Sequence, residues 1–412
     1  MINKHISILV AFVLGLSCTG KQKQASPEVD QQGMKLVVSD NVGSIPRVES
    51  DYTEIDATDM KALSYPEFIV DFVNNAYFVQ LSSDELIGNI TKLQIFEDRI
   101  YVLDRFSAKK VFIFDMQGKL LKVIDDQGGG PKEYIHLGDM HINEDTRELI
   151  IADVTGKYVH YNLNGEWLRS TPAIPNSFFC PIGQDSTFNF VGYGQVNERV
   201  GGDYSLLLSK GTEVLNRDFP LYPIQRHAAL HDPFVKTGLG ELLYIPSCCD
   251  TVYQLNRDLT YRAKYFVKQE NSVWQHRDEE LSDQERTDLI FKGCTGLGNA
   301  IFENEKFFVF TMTVRHKNQQ LVRACFYNKE KKKTFYFDID KHFDGSKVLE
   351  KGVFPIGNPI CLYGDYFVTS FIPIPIKENA HLANEEYLKI MNAGTDDTNP
   401  ALVFYKLNPA YE

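Results

Sequence analysis

The chain has 412 residues, a formal net charge of −12, and 28 Phe beside 21 Tyr. The acidic balance, with no basic stripe interleaved with aromatics, argues against nucleic acid or an anionic membrane surface as partner. So many aromatics with little helical periodicity favour an all-β fold.

The first 18 residues read as an export signal: Lys4 and His5 open it, Ile6 to Leu16 form its apolar core, and small Ser17 precedes Cys18. An apolar run this short does not span a bilayer, so a cleaved signal is read rather than a membrane helix. Cys18 after Leu-Gly-Leu-Ser resembles a bacterial lipobox, in which it is lipidated and becomes the mature N-terminus; Gly15 stands where lipoboxes carry Leu. Residues 19–52 are polar, lack any aromatic before Tyr52, and read as a flexible tether. Residues 53–412 contain no comparable break and form one domain. The six cysteines after Cys18 have no two-residue spacing of the zinc-knuckle kind, so no metal site through thiols is expected.

A repeat organises that domain. Ile100-Tyr-Val-Leu-Asp104 and Val111-Phe-Ile-Phe-Asp115-Met-Gln-Gly118 return as Leu149-Ile-Ile-Ala-Asp153 and Tyr158-Val-His-Tyr-Asn162-Leu-Asn-Gly165. Each unit is strand, turn, strand, then a tight hairpin in which Asp/Asn-x-x-Gly supplies the positive φ. The turn glycines are 47 residues apart from Gly118 to Gly165 and 46 from Gly165 to Gly211, the length of a four-stranded propeller blade. Asn256, Asn328 and Asn408 continue the series, the last two after insertions. Ser282-Asp-Gln-Glu285, followed by Leu289 and Ile290, predicts a capped helix; Asn384 before Tyr387, Leu388 and Met391 predicts a second. These stretches, near 270–298 and 377–397, fall in blades 5 and 6 and are expected to form one cap. Six units remain once they are subtracted. The last unit, Ala401 to Leu407, ends after its third strand, so a strand within residues 69–81 is predicted to complete it and close a six-bladed β-propeller.

With these residues in view, the chain resembles the six-bladed β-propeller lipoproteins of Bacteroides-type bacteria, distant relatives of NHL-repeat and TolB-like propellers. The matching pieces are Asp98 to Asp104, Gly128-Gly-Gly-Pro-Lys-Glu-Tyr134, Asp250-Thr-Val-Tyr-Gln-Leu255 and Asn399 to Leu407. The resemblance implies an envelope propeller of largely uncharacterised role and carries no catalytic residue set. The residues after Cys18, Thr-Gly-Lys-Gln-Lys, lack the acidic run associated with surface export in these bacteria, which favours the periplasmic side.

Candidate ligand-binding residues are Arg105, Lys132, Glu133, Tyr134, His136, Asp139, His141, Arg226 and His227. The Gly-rich loop fails as a phosphate cradle, because Pro131 separates its glycines from Lys132; it reads as a blade-to-blade crossover. His136 and His141 flank Asp139 at the start of an inner strand, the best place for a polar site. Arg226-His227 and His231-Asp232 sit in a turn-rich stretch, as rim residues or a solvated loop. The repeated Asp104 and Asp153 read as loop caps; a calcium role would need more carboxylates converging on the channel. No Gly-x-Ser-x-Gly or His-Glu-x-x-His motif occurs, and no catalytic residue, metal ligand or cofactor is assigned.

The function expected is a monomeric, envelope-anchored, non-catalytic module that binds a peptide, a glycan or another envelope protein, touching the membrane only through its lipid. The alternative is a lactonase-like hydrolase or lyase with a metal in the channel, which requires Asp, Glu, Asn or His side chains of several inner strands to converge on one ion.

Overall fold

The computed structural model describes residues 37–64, 67–175, 178–182, 188–192, 203–227, 232–289, 294–316, 319–339, 359–375 and 385–412. Four strands come first: β1 (Val37–Gly43), β2 (Thr53–Asp56), β3 (Met60–Ala62) and β4 (Val73–Gln80). Blade 1 then holds β5–β8 (Lys92–Phe96, Arg99–Asp104, Lys110–Asp115, Leu120–Ile124), and blade 2 holds β9–β12 (Leu137–Asn143, Glu148–Asp153, Lys157–Asn162, Trp167–Pro172). Blade 3 is β13–β16 (Phe178–Ile182, Phe188–Gly192, Tyr204–Lys210, Glu213–Pro220), and blade 4 is β17–β20 (Phe234–Lys236, Leu242–Tyr244, Thr251–Leu255, Tyr261–Lys268). Blade 5 is β21–β24 (Gly296–Glu303, Phe307–His316, Gln319–Asn328, Lys333–Asp338). Blade 6 is β25–β27 (Cys361–Tyr363, Tyr366–Phe371, Ala401–Leu407), and β4 is its outer strand. The protein is a six-bladed propeller.

Ring closure follows the expected route. β27 pairs antiparallel with β26 on one side and with β4 on the other, from Ala401 opposite Gln80 to Leu407 opposite Val73. The blade ruler has a local cause. In the hairpin after β7, the Asp115 carboxylate accepts from the N–H groups of Gln117 (3.0 Å) and Lys119 (2.9 Å), while Gly118 takes φ +80°. Asn162 does the same for Asn164 and Glu166, with Gly165 at φ +77°. In blade 4, Leu259 occupies the glycine's place at φ +66°, which is why the glycine repeat fades there.

Residues 37–52, which the composition places in a flexible tether, are instead paired with the blades: β1 pairs in parallel with β16, Arg47 bridges Tyr261, and the Val48 N–H bonds the Tyr261 carbonyl at 2.8 Å. β2 and β3 continue the pattern on β20 and β24. One N-terminal strap therefore adds a fifth strand to blades 3, 4 and 5. Its polar composition hid this, because an edge strand is held by backbone hydrogen bonds and needs few apolar side chains.

Both helical insertions exist. α1 (Asp283–Asp288) lies in the crossover entering blade 5 and carries the predicted capping box, with the Ser282 side chain accepting from the Glu285 N–H and Glu285 returning a bond to the Ser282 N–H. α2 (Glu385–Asn392) lies within blade 6; Asn384, its expected cap, is outside the described residues. The helices dock on different sectors. α1 contacts the turn Pro223–His227, whereas Tyr387 of α2 packs on Phe78 (5.3 Å between ring centroids) and Phe371 (5.4 Å). The core lies between blades. Phe68, Phe72, Phe326, Phe335 and Tyr405 belong to one cluster joining blades 5 and 6.

Candidate functional site

In a propeller every inner strand starts on the same face, the face where the crossovers and the second-to-third-strand loops open. The starts of β5, β9, β13 and β17 therefore ring one end of the central channel, and the loop after β6 overhangs it. This mouth is charged. Lys92, the first residue of β5, places its Nζ 2.8 Å from Asp139 Oδ1 on β9 and 2.7 Å from Asp232 Oδ2, just before β17. Asp139 is buried and both its oxygens are engaged, since Oδ1 also accepts from the Met140 N–H at 2.8 Å and Oδ2 from the Phe179 N–H at 3.2 Å. Burial drives the Asp139 carboxyl up, the Lys92 ammonium opposes this, and the Asp232 charge adds to it. For Lys92, burial favours the neutral amine, but the two carboxylates outweigh it and raise the ammonium above its usual range.

His141 lies two residues beyond Asp139, hence on the same face of β9. Its Nε2 is 3.2 Å from the Cys180 Sγ on β13 and its Nδ1 is 3.1 Å from the Ile142 carbonyl. Burial, then the nearby Lys92 charge, pushes the imidazole down to about 3, and burial pushes the Cys180 thiol up to about 12. The pair is thus neutral imidazole and thiol, with Nδ1–H donating to the carbonyl and Nε2 accepting from S–H. An activated cysteine needs the opposite shifts, so this is not a thiolate–imidazolium couple.

Arg105 opens the loop after β6. Its guanidinium carbon stands over the rings of Phe106 (5.2 Å to the centroid) and Phe178 (5.8 Å). Burial lowers its pKa and the Asp139 charge opposes that shift. No guanidinium N–H of Arg105 bonds an acceptor among the described residues. Below the mouth, a cavity of about 420 Å³ runs along β5 and is lined by Gln94, His141, Glu144, Lys236 and Tyr363, among others. Lys236 and Glu144 form an ion pair across it. Gly238 closes it toward the far end, where a Cβ would come within 3.1 Å of the Gly364 carbonyl oxygen. Among the described residues no three His, Cys, Asp or Glu side chains converge as metal ligands. The two carboxylates that do converge, Asp139 and Asp232, hold an ammonium between them.

The remaining candidates separate. Tyr134 is buried, and its hydroxyl donates to the Lys109 carbonyl at 2.8 Å, so it is a wedge between blades 1 and 2 rather than a ligand contact. Glu133 folds back on its own loop, where Oε2 accepts from the Gly130 N–H at 2.7 Å. Lys132 is exposed on that loop, and its carbonyl accepts from Tyr161. His136 is exposed near the mouth. Arg226 and His227 end the turn that α1 contacts, and nothing is described of their side chains; His231 and Cys18 lie outside the described residues. Asp104 and Asp153 are loop caps. Asp104 accepts from the N–H groups of Gly88 (2.8 Å), Asn89 (2.9 Å) and Ser107 (2.8 Å), and Asp153 from those of Ile135 (2.7 Å) and Thr155 (3.0 Å). Each ties the incoming crossover to the loop after its own strand.

A prediction arises at the glycine loop. A Cβ on Gly128 would lie 2.2 Å from Glu133 Oε2, whereas one on Gly129 would meet nothing within 4 Å. Gly128→Ala should cost about 1–3 kcal/mol, mainly by displacing the carboxylate from the Gly130 N–H, and Gly129→Ala less than about 0.5 kcal/mol. Urea titrations of the two variants check this, and equal midpoints would refute it.

The structure brings Asp139, His141 and Arg105, three of the sequence candidates, together at the mouth, and adds Lys92 and Cys180, which the sequence did not single out, and Asp232, which it read as part of a solvated loop. The available signal was small. Lys92 is a charged residue opening the inner strand Lys-Leu-Gln-Ile-Phe, where a channel-facing charge needs a partner.

A second polar chain lies on blade 2, remote from the mouth. Glu148 Oε2, His160 Nδ1 (2.9 Å), His160 Nε2 and Thr171 Oγ1 (3.0 Å) are aligned like a catalytic triad. Arg169 is bidentate on that Glu148 (2.6 and 2.8 Å), and burial lowers the His160 pKa. With its carboxylate neutralised and its base weakened, the chain reads as a satisfied network between strands β10, β11 and β12.

The fold is similar to that of a Bacteroides fragilis protein inferred to be exported, with TM-score 0.68 and 14% identity over 86% of this chain and 100% of the other. It is also similar to a member of the DUF4221 family from Bacteroides vulgatus, with TM-score 0.50 and 12% identity over 82% of this chain and 98% of that one. No curated protein matches the sequence. Residues 69–406, from the turn before the closing strand to the end of the last blade, match the family described as a domain of unknown function, DUF4934, and the chain belongs to that family.

Proposed function

We propose that this protein is a non-catalytic binding propeller of the bacterial envelope, with its ligand site at the channel mouth framed by Arg105, Phe106, Phe178 and Asp232. The observation that carries the reading is the state of the polar groups there. Lys92 is locked between two carboxylates, and His141 and Cys180 are held as neutral base and thiol. Rigid, saturated groups beneath an accessible rim suit recognition rather than proton or acyl transfer. The envelope location is supported by the signal-like residues 1–18 and by the inferred export of the Bacteroides fragilis protein of similar fold. The metal-dependent alternative has no comparable support, because the converging carboxylates are already neutralised by Lys92.

A thermal-shift screen of peptide and oligosaccharide fractions from an envelope extract, read together with mass spectra before and after incubation, tests this. Binding at a hundredfold excess over Kd contributes about 2.7 kcal/mol, so Tm should rise by several degrees with ligand masses unchanged. Product masses that grow with time, or no fraction that shifts Tm, would overturn it.

A further inference from the structure

We infer that the mouth recognises a carboxylate borne by a peptide, received in the plane of the Arg105 guanidinium; this rests on the binding reading above and names its ligand class. Among the described residues, Arg105 is the cation at the mouth without an ion-pair partner. Lys92 has two carboxylates, whereas the carboxylate acting on Arg105, Asp139, has both oxygens committed to Lys92, Met140 and Phe179. The rings of Phe106 and Phe178 attend the guanidinium, and none of its donors meets a protein acceptor among the described residues. A guanidinium held by cation–π attraction to aromatic rings spends none of its N–H donors on them, so its fork stays available for a planar, bidentate acceptor, and a carboxylate is that acceptor.

The surroundings favour a peptide over an acidic sugar. Phe106 is 52% exposed, Leu86 50% and Ile135 37%. Leu86 and Ile135 stand on the crossovers entering blades 1 and 2, and Phe106 on the loop after β6. The Leu86 loop touches the Arg105 loop so closely that a Cβ on Gly88 would lie 2.3 Å from the Ser107 Cβ, and Lys110 reaches Glu85 at 3.5 Å. Ile135 precedes β9, which carries Asp139. A phenyl ring beside the guanidinium, with aliphatic chains exposed on the two adjoining loops, suits a glutamate or aspartate flanked by apolar side chains. A uronic acid would present hydroxyls to this apolar rim and leave them unpaired.

The test uses dye-labelled hexapeptides that set one Glu among Leu and Val, their Gln counterparts, and labelled oligogalacturonate, with anisotropy read on the whole exported chain. The Glu peptides should bind at least about tenfold more tightly than their Gln counterparts, and added salt should weaken them. Arg105→Gln should erase the Glu/Gln difference, while Arg105→Lys should keep part of it, having the charge without the fork. Because the guanidinium bonds no acceptor among the described residues and only its contacts with Phe106 and Phe178 are lost, both variants should stay within a few degrees of the parent Tm, so loss of binding is separable from loss of fold. Equal binding of Glu and Gln peptides, or a Glu preference that survives Arg105→Gln, overturns the carboxylate inference while leaving the binding reading standing. Binding of oligogalacturonate without any peptide overturns the peptide source. Silence from every probe, together with a silent thermal-shift screen, overturns both.

Discussion

Replacing Lys92 with Met is expected to destabilise the propeller by about 3–5 kcal/mol at neutral pH, because it strips a buried carboxylate of its counter-charge. Asp139 is 2% exposed and has no other cation in contact among the described residues, although backbone N–H groups of Met140 and Phe179 remain. The loss should depend on pH with a definite sign. In the parent, the Asp139 carboxyl is already raised in the folded state, so its contribution to stability falls as pH rises from the unfolded value, about 3.9, through the raised folded one. Without the ammonium the folded value rises further and this window widens. Lys92→Met should therefore regain stability on acidification from pH 7 toward pH 5, where the parent changes less. Lys92 itself has a raised folded value, so its own contribution persists until strongly alkaline pH. Urea midpoints at both pH values decide the matter. Adding Asp139→Asn to Lys92→Met should recover much of the loss, since an amide replaces the unpaired charge. A Lys92→Met protein as stable as its parent at pH 7 would show that the Lys92 ion pairs with Asp139 and Asp232 carry little stability.

Leu402→Asp is expected to abolish the folded ring. Leu402 is fully buried in β27 and faces Ser370 of β26 and Val79 of β4 across the two ladders that close the propeller. An unpaired charge there costs well over about 4 kcal/mol, a large part of the stability of an ordinary domain. Leu121→Asp serves as the contrast. Leu121 is 47% exposed on β8, an outer strand of blade 1, and its substitution should move stability by no more than about 0.5 kcal/mol. Circular dichroism and gel filtration of the pair distinguish them, and a folded, monodisperse Leu402→Asp would show that closure does not hold the ring together.

These effects differ in how visible they are in the chain itself. The blade count rests on turns whose chemistry is local. Asp115 and Asn162 bind their own hairpin N–H groups, and Gly118 and Gly165 supply the positive φ, so spacing alone reports the architecture. The capping box at Ser282 and Glu285 is local in the same way. So are the Asp104 and Asp153 caps, although the crossovers they tie down, at Gly88 and Ile135, come from the preceding connection. The strap was invisible because Val37–Gly43 is paired through its backbone to β16, and backbone pairing leaves no periodic trace in an edge strand. Tyr134 stood in a conspicuous motif and drew a binding assignment, yet its hydroxyl and ring are spent joining two blades.

The mouth shows where local information ends. His136, Asp139 and His141 are close in sequence, and strand alternation alone sets Asp139 and His141 on one face. What each does depends on residues 39 or more positions away. Lys92 neutralises Asp139 from the neighbouring blade, Cys180 meets His141 from the next, and Asp232 arrives from the crossover into the fourth. The sequence by itself determined the all-β repeat, its six blades and the strand that closes them, because each follows from turns and alternation within a few residues. Only the tertiary structure decided which charges are matched and that, among the described residues of the mouth, Arg105 is the cation left over. Pairing across blades depends on the curvature of the ring, and no spacing along the chain records it.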